Sequence, residues 1–287
     1  MWAIDIYHVS RELNDSELLE VITSRIEQFD RDYSRFRDDS LVTHMAEKAG
    51  SYTLPADAQP LLDLYRQIYN LSAGAVTPLI GQTLVDAGYD AKYSLHPGQV
   101  QTPPVWDDVL DYRWPQLTLR VPALLDFGAA GKGYLVDIIA DLLASEGATD
   151  FCVDAGGDIV CRSPASHPTI VGLEDPEDTS QAIGVSYITN QALCGSAGSR
   201  RTWGQGSDSR PEGYHHVIDP HTLRSPRHLS AVWVIADSAL LSDMLTTVLY
   251  FVDPQVMLEH FDFSYALLDD TRGISYSDTF PGQFFIQ

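Results

Sequence analysis

Two periodicities divide this chain. In its first third, apolar residues recur at helical spacing. NDSELLEVITSRIEQFDRDYS follows a polar cap, and PADAQPLLDLYRQIYNLSAG opens on a proline and closes near Gly74. In the second half the apolar residues gather into short strand-like runs: FCVDAG, DIVCR, TIVGL, GVSYI, YHHVID and LSAVWVIAD. A strand-like WAIDIYHV precedes the first helix. Two more helical patterns, GYLVDIIADLLASEG and ALLSDMLTTVLYFV, fall among the later strands. Long helices first, with mixed strands and helices afterwards, predict an α+β or mixed α/β fold. The polar stretch from Asp90 to Trp114 reads as a surface excursion with a short helix, LTLRV and ALLDF as a hairpin, and TWGQGSDSRPEGY as a flexible loop. There is no internal repeat. A chain of 287 residues can bury its core as one domain, 1–287, or as two closely joined lobes.

Charge excludes several partners. Asp plus Glu number 40 against 18 Lys plus Arg, a net charge of −22. Such a surface repels nucleic acid and anionic membranes, so an anionic ligand needs a local basic or metal-assisted pocket. The expected partners therefore include no nucleic acid, and with no long apolar run read at the N-terminus no membrane span is expected. Cys152, Cys161 and Cys194 are odd in number, lack zinc-site spacing and sit among apolar neighbours, which predicts buried free thiols. No signal peptide or lipobox is read at the N-terminus, and the sequence as given is expected to be cytoplasmic unless a leader has been removed.

Four stretches carry chemistry. In DFGAAGKGYLVD a strand is expected to end at Phe127 and a helix to begin near Gly133, with Lys132 between two glycines. Backbone N–H groups at a helix start favour an anion, and glycines allow close approach. The spacing is not that of a Walker A loop, and a tight strand–helix turn with a solvated lysine is the plain alternative. VDAGGDIV places a double glycine before Asp158, either a tight turn or a ligand approach. HHVIDPHT puts His216 at a strand end, as a structural histidine or a proton carrier. In SDMLTT, Asp243 and Thr247 lie four apart on one helix face. They make a partial oxygen site for a hard cation such as Mg²⁺, or a surface charge and a packed hydroxyl.

Taken in order, SRFRDDS (Ser34–Ser40), GAVTPLIG (Gly74–Gly81), DFGAAGKGYLVD, DAGGDIV, CGSAGSRRTW (Cys194–Trp203), HVIDPHT (His216–Thr222) and SALLSDMLTTVLYFV form a succession. It resembles the ApbE family, the FAD:protein FMN transferases, from about Ile4 to about Tyr276. The resemblance implies a T-fold-like ApbE architecture around an FAD cleft. It implies Mg²⁺ at the FAD pyrophosphate and transfer of FMN to a threonine or serine hydroxyl of an acceptor protein, with release of AMP. Carried over to this chain, Phe36, Ala75, Val76, Thr77, Asp126, Lys132 and Ile218 would contact FAD. The carbonyl of Ala129, with Asp243 and Thr247, would hold the metal. His216 would be the general base. Val76 and Thr77 stand where the family has Phe and Asp, and the family's Met-Gly-Thr before the first strand is missing. Two other readings use the same residues: an FAD pyrophosphatase, with water as acceptor, and a flavin carrier without turnover.

Overall fold

The computed structural model describes residues 2–11, 13–164, 167–198, 202–204 and 213–285. The chain forms two compact units. The first comprises Met1–Ile26, Ala129–Arg200 and Arg227–Gln287, and the second Glu27–Gly128 and Arg201–Pro226. Helices and strands are mixed throughout, as expected of an α+β fold. No helix among the described residues is long and apolar enough to cross a membrane.

The first unit is built on a seven-stranded antiparallel sheet. Its spatial order is Ala3–Val9, Ala148–Asp154, Asp158–Arg162, Ala192–Ala197, Leu229–Ala236, Ser264–Asp269, Ile274–Tyr276. Strand side chains alternate between faces, so one register supplies two layers. Ile159, Cys161, Leu193, Ala231, Trp233, Ile235, Ala266 and Leu268 are buried on one face. They meet Val171, Leu173, Ile183 and Ile188 of a smaller sheet made by Thr169–Glu174, Ala182–Ile188 and Gly282–Phe284. The alternate set, including Val153, Val160, Cys194, Val232 and Val234, is also buried. The helices Gly131–Ser145 and Ala239–Val248 pack against each other and against these strands. The start of the second helix is doubly capped. Ser238 accepts from the Leu241 N–H, while the Asp137 carboxylate of the first helix accepts from Ala239 and Leu240 at 2.8 Å each.

The second unit centres on the helix Ala58–Leu71, whose Leu61, Leu62, Tyr65 and Ile68 are buried. A three-stranded sheet of Gly50–Thr53, Gln116–Leu119 and Leu110–Arg113 contributes Leu117 and Leu119 to that core. Phe127 packs edge-on to Tyr33 and Tyr65, with ring centroids 5.8 and 5.4 Å away. The predicted hairpin is re-partnered here. Leu117 and Thr118 pair back onto Leu110–Arg113, inside the expected surface excursion, while ALLDF forms no strand. That segment is held by single bonds, Ala123 N–H to the Met45 carbonyl and Asp126 N–H to the Pro78 carbonyl, so apolar character alone misled. YHHVID narrows to a two-residue strand, Tyr214–His215, paired with Thr202–Trp203. The tip of the expected flexible loop, 205–212, lies outside the described residues.

Asp137 ties two helices together through a partly buried carboxylate. Burial pushes it up to about 6, against the pull of the two N–H bonds it accepts. An ordinary aspartate titrates near about 3.9, so the folded state holds this proton the more tightly. The stability it lends at low pH is lost as pH rises from about 4 to about 6. Asp137→Asn is expected to remove that part of the pH dependence. Urea unfolding at the two ends of this window should show a smaller fall in midpoint for the variant than for the wild type.

Candidate active site

In the first unit, a glycine turn and two helix positions bring three ionisable side chains together. The strands Ala148–Asp154 and Asp158–Arg162 are joined by Ala155-Gly156-Gly157, where Gly156 and Gly157 take φ of 75° and 106°. That left-handed backbone is the reason for the double glycine. The turn is closed by Ala155 N–H donating to the Asp158 carbonyl and Gly157 N–H to the Asp154 carboxylate, both at 2.9 Å. Asp158 is thereby turned wholly inward, with 0% exposure, and is ion-paired with the Lys132 ammonium. The lysine itself stays about half exposed, so it is neither a solvated surface charge nor a buried one.

Asp243 completes the group. Its Oδ2 accepts from the Gly133 N–H at 2.9 Å, in the first turn of the helix Gly131–Ser145. The glycines were expected to admit a ligand; at Gly133 the close neighbour is the other helix. A Cβ there would lie 2.1 Å from the Ala239 carbonyl oxygen and 2.6 Å from the Asp243 Cβ. Burial raises Asp243 well above the usual carboxylate range, and the Asp158 charge adds to it, while Lys132 and the Gly133 N–H pull it down. Burial likewise raises Asp158, opposed by Lys132. For Lys132, burial works to lower the pKa, but the Asp158 and Asp243 carboxylates outweigh it and raise the group. The Cys194 thiol lies against the Ala239 carbonyl at 3.7 Å. It is held well above its ordinary value by burial and by the same carboxylates, which makes it an inert thiol.

Thr247 lies one turn beyond Asp243 on the same helix and is partly exposed, as is Ala129 beside the helix start at Gly131. Among the described residues no group of three or more His, Cys, Asp or Glu is placed to hold a metal ion. A carboxylate, a hydroxyl and a backbone carbonyl are instead the hard oxygen donors that suit Mg²⁺, which keeps several waters or phosphate oxygens of its own.

In the second unit, Phe36 and Ile218 join one apolar cluster with Leu84, Ala87, Tyr89, Trp203 and Tyr214. The rings are ordered. Trp203 stacks on Tyr89 and on Tyr214 at 5.6 and 6.0 Å, and Tyr93 lies parallel to Phe36 at 5.3 Å with 8° between planes. Tyr93 is half exposed and sits at φ 51°, an uncommon conformation for an aromatic residue. The Asp90 carboxylate holds its loop by accepting from the Lys92 and Ser94 N–H groups. Asp126 is paired with the buried Arg35 and accepts from the Gly128 N–H. Of the three consecutive residues expected at the ligand, Val76 is core. Thr77 uses its hydroxyl to cap the turn Pro78–Ile80, and Ala75 is partly exposed.

The histidine pair divides as neighbours in an extended chain must. His215 is buried. Its Nδ1 accepts from the Val217 N–H at 3.2 Å and its Nε2 donates to the Pro226 carbonyl at 2.6 Å, which assigns a neutral ring to a structural role. His216 is partly exposed. The pairing of Arg35 and the placing of Tyr93 were not legible in the sequence. Their signal lies in pairing and backbone conformation, not in residue spacing.

Known proteins are similar to this chain along most of its length. The model of the ApbE family matches residues 1–266. A protein of Rhodobacter capsulatus called FAD:protein FMN transferase is 27% identical over 84% of this chain, and the match spans about half of that relative, 48%. One of the same name from Treponema pallidum is 26% identical over 92% of this chain and 77% of its own. Among solved structures, the ApbE protein of Thermotoga maritima superposes with a TM-score of 0.81 at 20% identity, covering 96% of this chain and 94% of that one. The flavin transferase ApbE from Vibrio cholerae gives 0.77 at 19%, covering 96% and 92%. These two structures establish the fold.

Removing one member of a buried ion pair strands the other. Lys132→Met is expected to cost on the order of 3 kcal/mol, at the low end of the usual range because the lysine is half exposed. The loss should shrink on acidification, as Asp158 takes up a proton. Lys132→Met/Asp158→Asn should recover most of it. Urea unfolding of the three proteins at neutral and mildly acidic pH measures both effects. An equal loss in the single and double variants would show that the pair is not what holds Lys132.

Proposed function

The chain belongs to the ApbE family, and on that footing we propose that it is an FAD:protein FMN transferase dependent on Mg²⁺. The observation that carries this reading is the pairing of Asp243 with the start of the helix Gly131–Ser145, beside Lys132. A helix start and an ammonium group suit a pyrophosphate, and a carboxylate with a hydroxyl one turn away suits its cation. The Ala129 carbonyl, Asp243 and Thr247 would hold Mg²⁺, which when bound would neutralise charge on the pyrophosphate.

The chain's own groups divide the remaining work. Lys132, which Asp158 keeps charged and in place, orients the phosphates of FAD. The aromatic cluster around Phe36 and Ile218, with the backbone at Ala75, receives the flavin. Asp126 acts through the residue it fixes, Arg35. His216 takes the proton from a threonine or serine hydroxyl of the acceptor protein. As that oxygen bonds to the phosphorus next to the flavin, the pyrophosphate P–O bond breaks and AMP leaves. A hydroxyl is a weak nucleophile at neutral pH, so the base matters.

Incubation with FAD, Mg²⁺ and a flavin-acceptor domain tests the reading. The acceptor should gain the mass of an FMN group, with AMP released in equal amount. AMP without gain on the acceptor would mean hydrolysis of FAD, and FAD bound without AMP would mean a carrier. Asp243→Ala should retain its fold and lose Mg²⁺-dependent turnover. His216→Asn should slow transfer by about 10²–10⁴-fold with little change in FAD affinity. A full rate in the His216 variant would move the proton to a carboxylate.

A further inference from the structure

Arg35 carries a donor that the protein does not use. Its side chain is buried, with the residue 6% exposed. Nε is paired with Asp126 and Nη1 donates to the Tyr89 carbonyl at 2.7 Å. Nη2 is buried and has no hydrogen-bond partner among the described residues. Leaving such a group unmet costs about 1–3 kcal/mol, and buried donors in native proteins are otherwise met. The guanidinium carbon lies 4.2 Å from the Phe36 ring centroid and 4.9 Å from that of Tyr89, so the group sits against two aromatic rings. The spare N–H points in the guanidinium plane, beside these rings.

We propose that Arg35 is a flavin-holding residue, donating from Nη2 to a carbonyl oxygen of the flavin ring. Two observations choose this acceptor. Asp126 already balances the guanidinium charge, so the spare donor suits a neutral oxygen better than a phosphate. The neighbours Phe36, Tyr89 and Tyr93 are flat, so the partner is a planar ring bearing that oxygen in its own plane. Flavin offers two such carbonyls on its pyrimidine edge, and adenine offers none. This rests on the reading of FAD as the substrate. Arg35 then joins three parts of the second unit: the Asp126 end of the glycine-lysine motif, the backbone at Tyr89, and the ligand ring.

The test measures binding, not turnover. Wild-type protein and Arg35→Lys are titrated with FAD, FMN and ADP. Lysine keeps the charge beside Asp126 and loses the planar fork. The variant is expected to bind FAD and FMN at least tenfold more weakly and ADP within twofold of wild type. FAD binding unchanged in a folded Arg35→Lys protein would overturn the proposal, as would an equal loss for ADP. If the variant does not fold, wild-type protein is titrated with FAD and with FAD bearing sulfur in place of each ring carbonyl oxygen in turn. One analogue should bind at least fivefold more weakly, and equal binding of all three would overturn the proposal. Failure of wild-type protein to bind FAD at all would overturn the functional reading and this inference with it. Loss confined to the Arg35 and analogue arms leaves the functional reading standing.

Discussion

One ammonium group governs two buried carboxylates. Lys132 is ion-paired with Asp158, and its charge also bears on Asp243, which burial and Asp158 together drive toward the protonated form. Every nearby element depends on this balance. The double-glycine turn exists to aim Asp158 inward. Gly133 exists to let the helix Ala239–Val248 come close enough for Asp243 to reach a backbone N–H. Asp137, one turn further along, fixes the start of that second helix. In a chain of net charge −22, a site for an anion needs a place where positive and partial positive charge outweigh the rest nearby. In the function proposed above, a helix start and one lysine would provide it.

The stretch Asp126–Asp137 supplies parts to both units, because the division between them falls between Gly128 and Ala129. Asp126 faces Arg35 and the aromatic cluster of the second unit, whereas Lys132, Gly133 and Asp137 organise the first. A single string of small residues thus hides two separate jobs. One is to fix an arginine among aromatic rings, and the other is to set two helices and a lysine around buried carboxylates.

Much of the fold was legible because periodicity reports burial directly. The helices Asp15–Tyr33, Ala58–Leu71, Gly131–Ser145 and Ala239–Val248 and the strands Leu229–Ala236 and Ala148–Asp154 lie where apolar spacing puts them. The strand Ala192–Ala197 was missed. Its ALCGSA is short and small, and it is a strand because it lies between Asp158–Arg162 and Leu229–Ala236 in the sheet. In the site, Lys132, Asp243 and the GGD turn were visible as motifs, but their mutual arrangement was not. Nothing in local spacing says that Lys132 reaches Asp158 or that Gly133 faces Asp243, because these are long-range contacts between separate elements. Arg35 was invisible for the same reason. In the sequence it is one of several arginines, and only burial sets it apart.

The order of the large sheet has a consequence for how the protein is made. Its edge strand, Ala3–Val9, is synthesised about 140 residues ahead of its partner Ala148–Asp154. Between them comes most of the second unit, Glu27–Gly128, which has its own helices, sheet and core. Most of that unit is therefore synthesised while the first strand has no partner to pair with. The large sheet itself closes only when sequence-distant segments meet, the slow class of contact formation. Through that interval the first strand is an unpaired edge, and the one aspartate of AIDIYHV, Asp5, places a charge on it where a wholly apolar strand would recruit another chain.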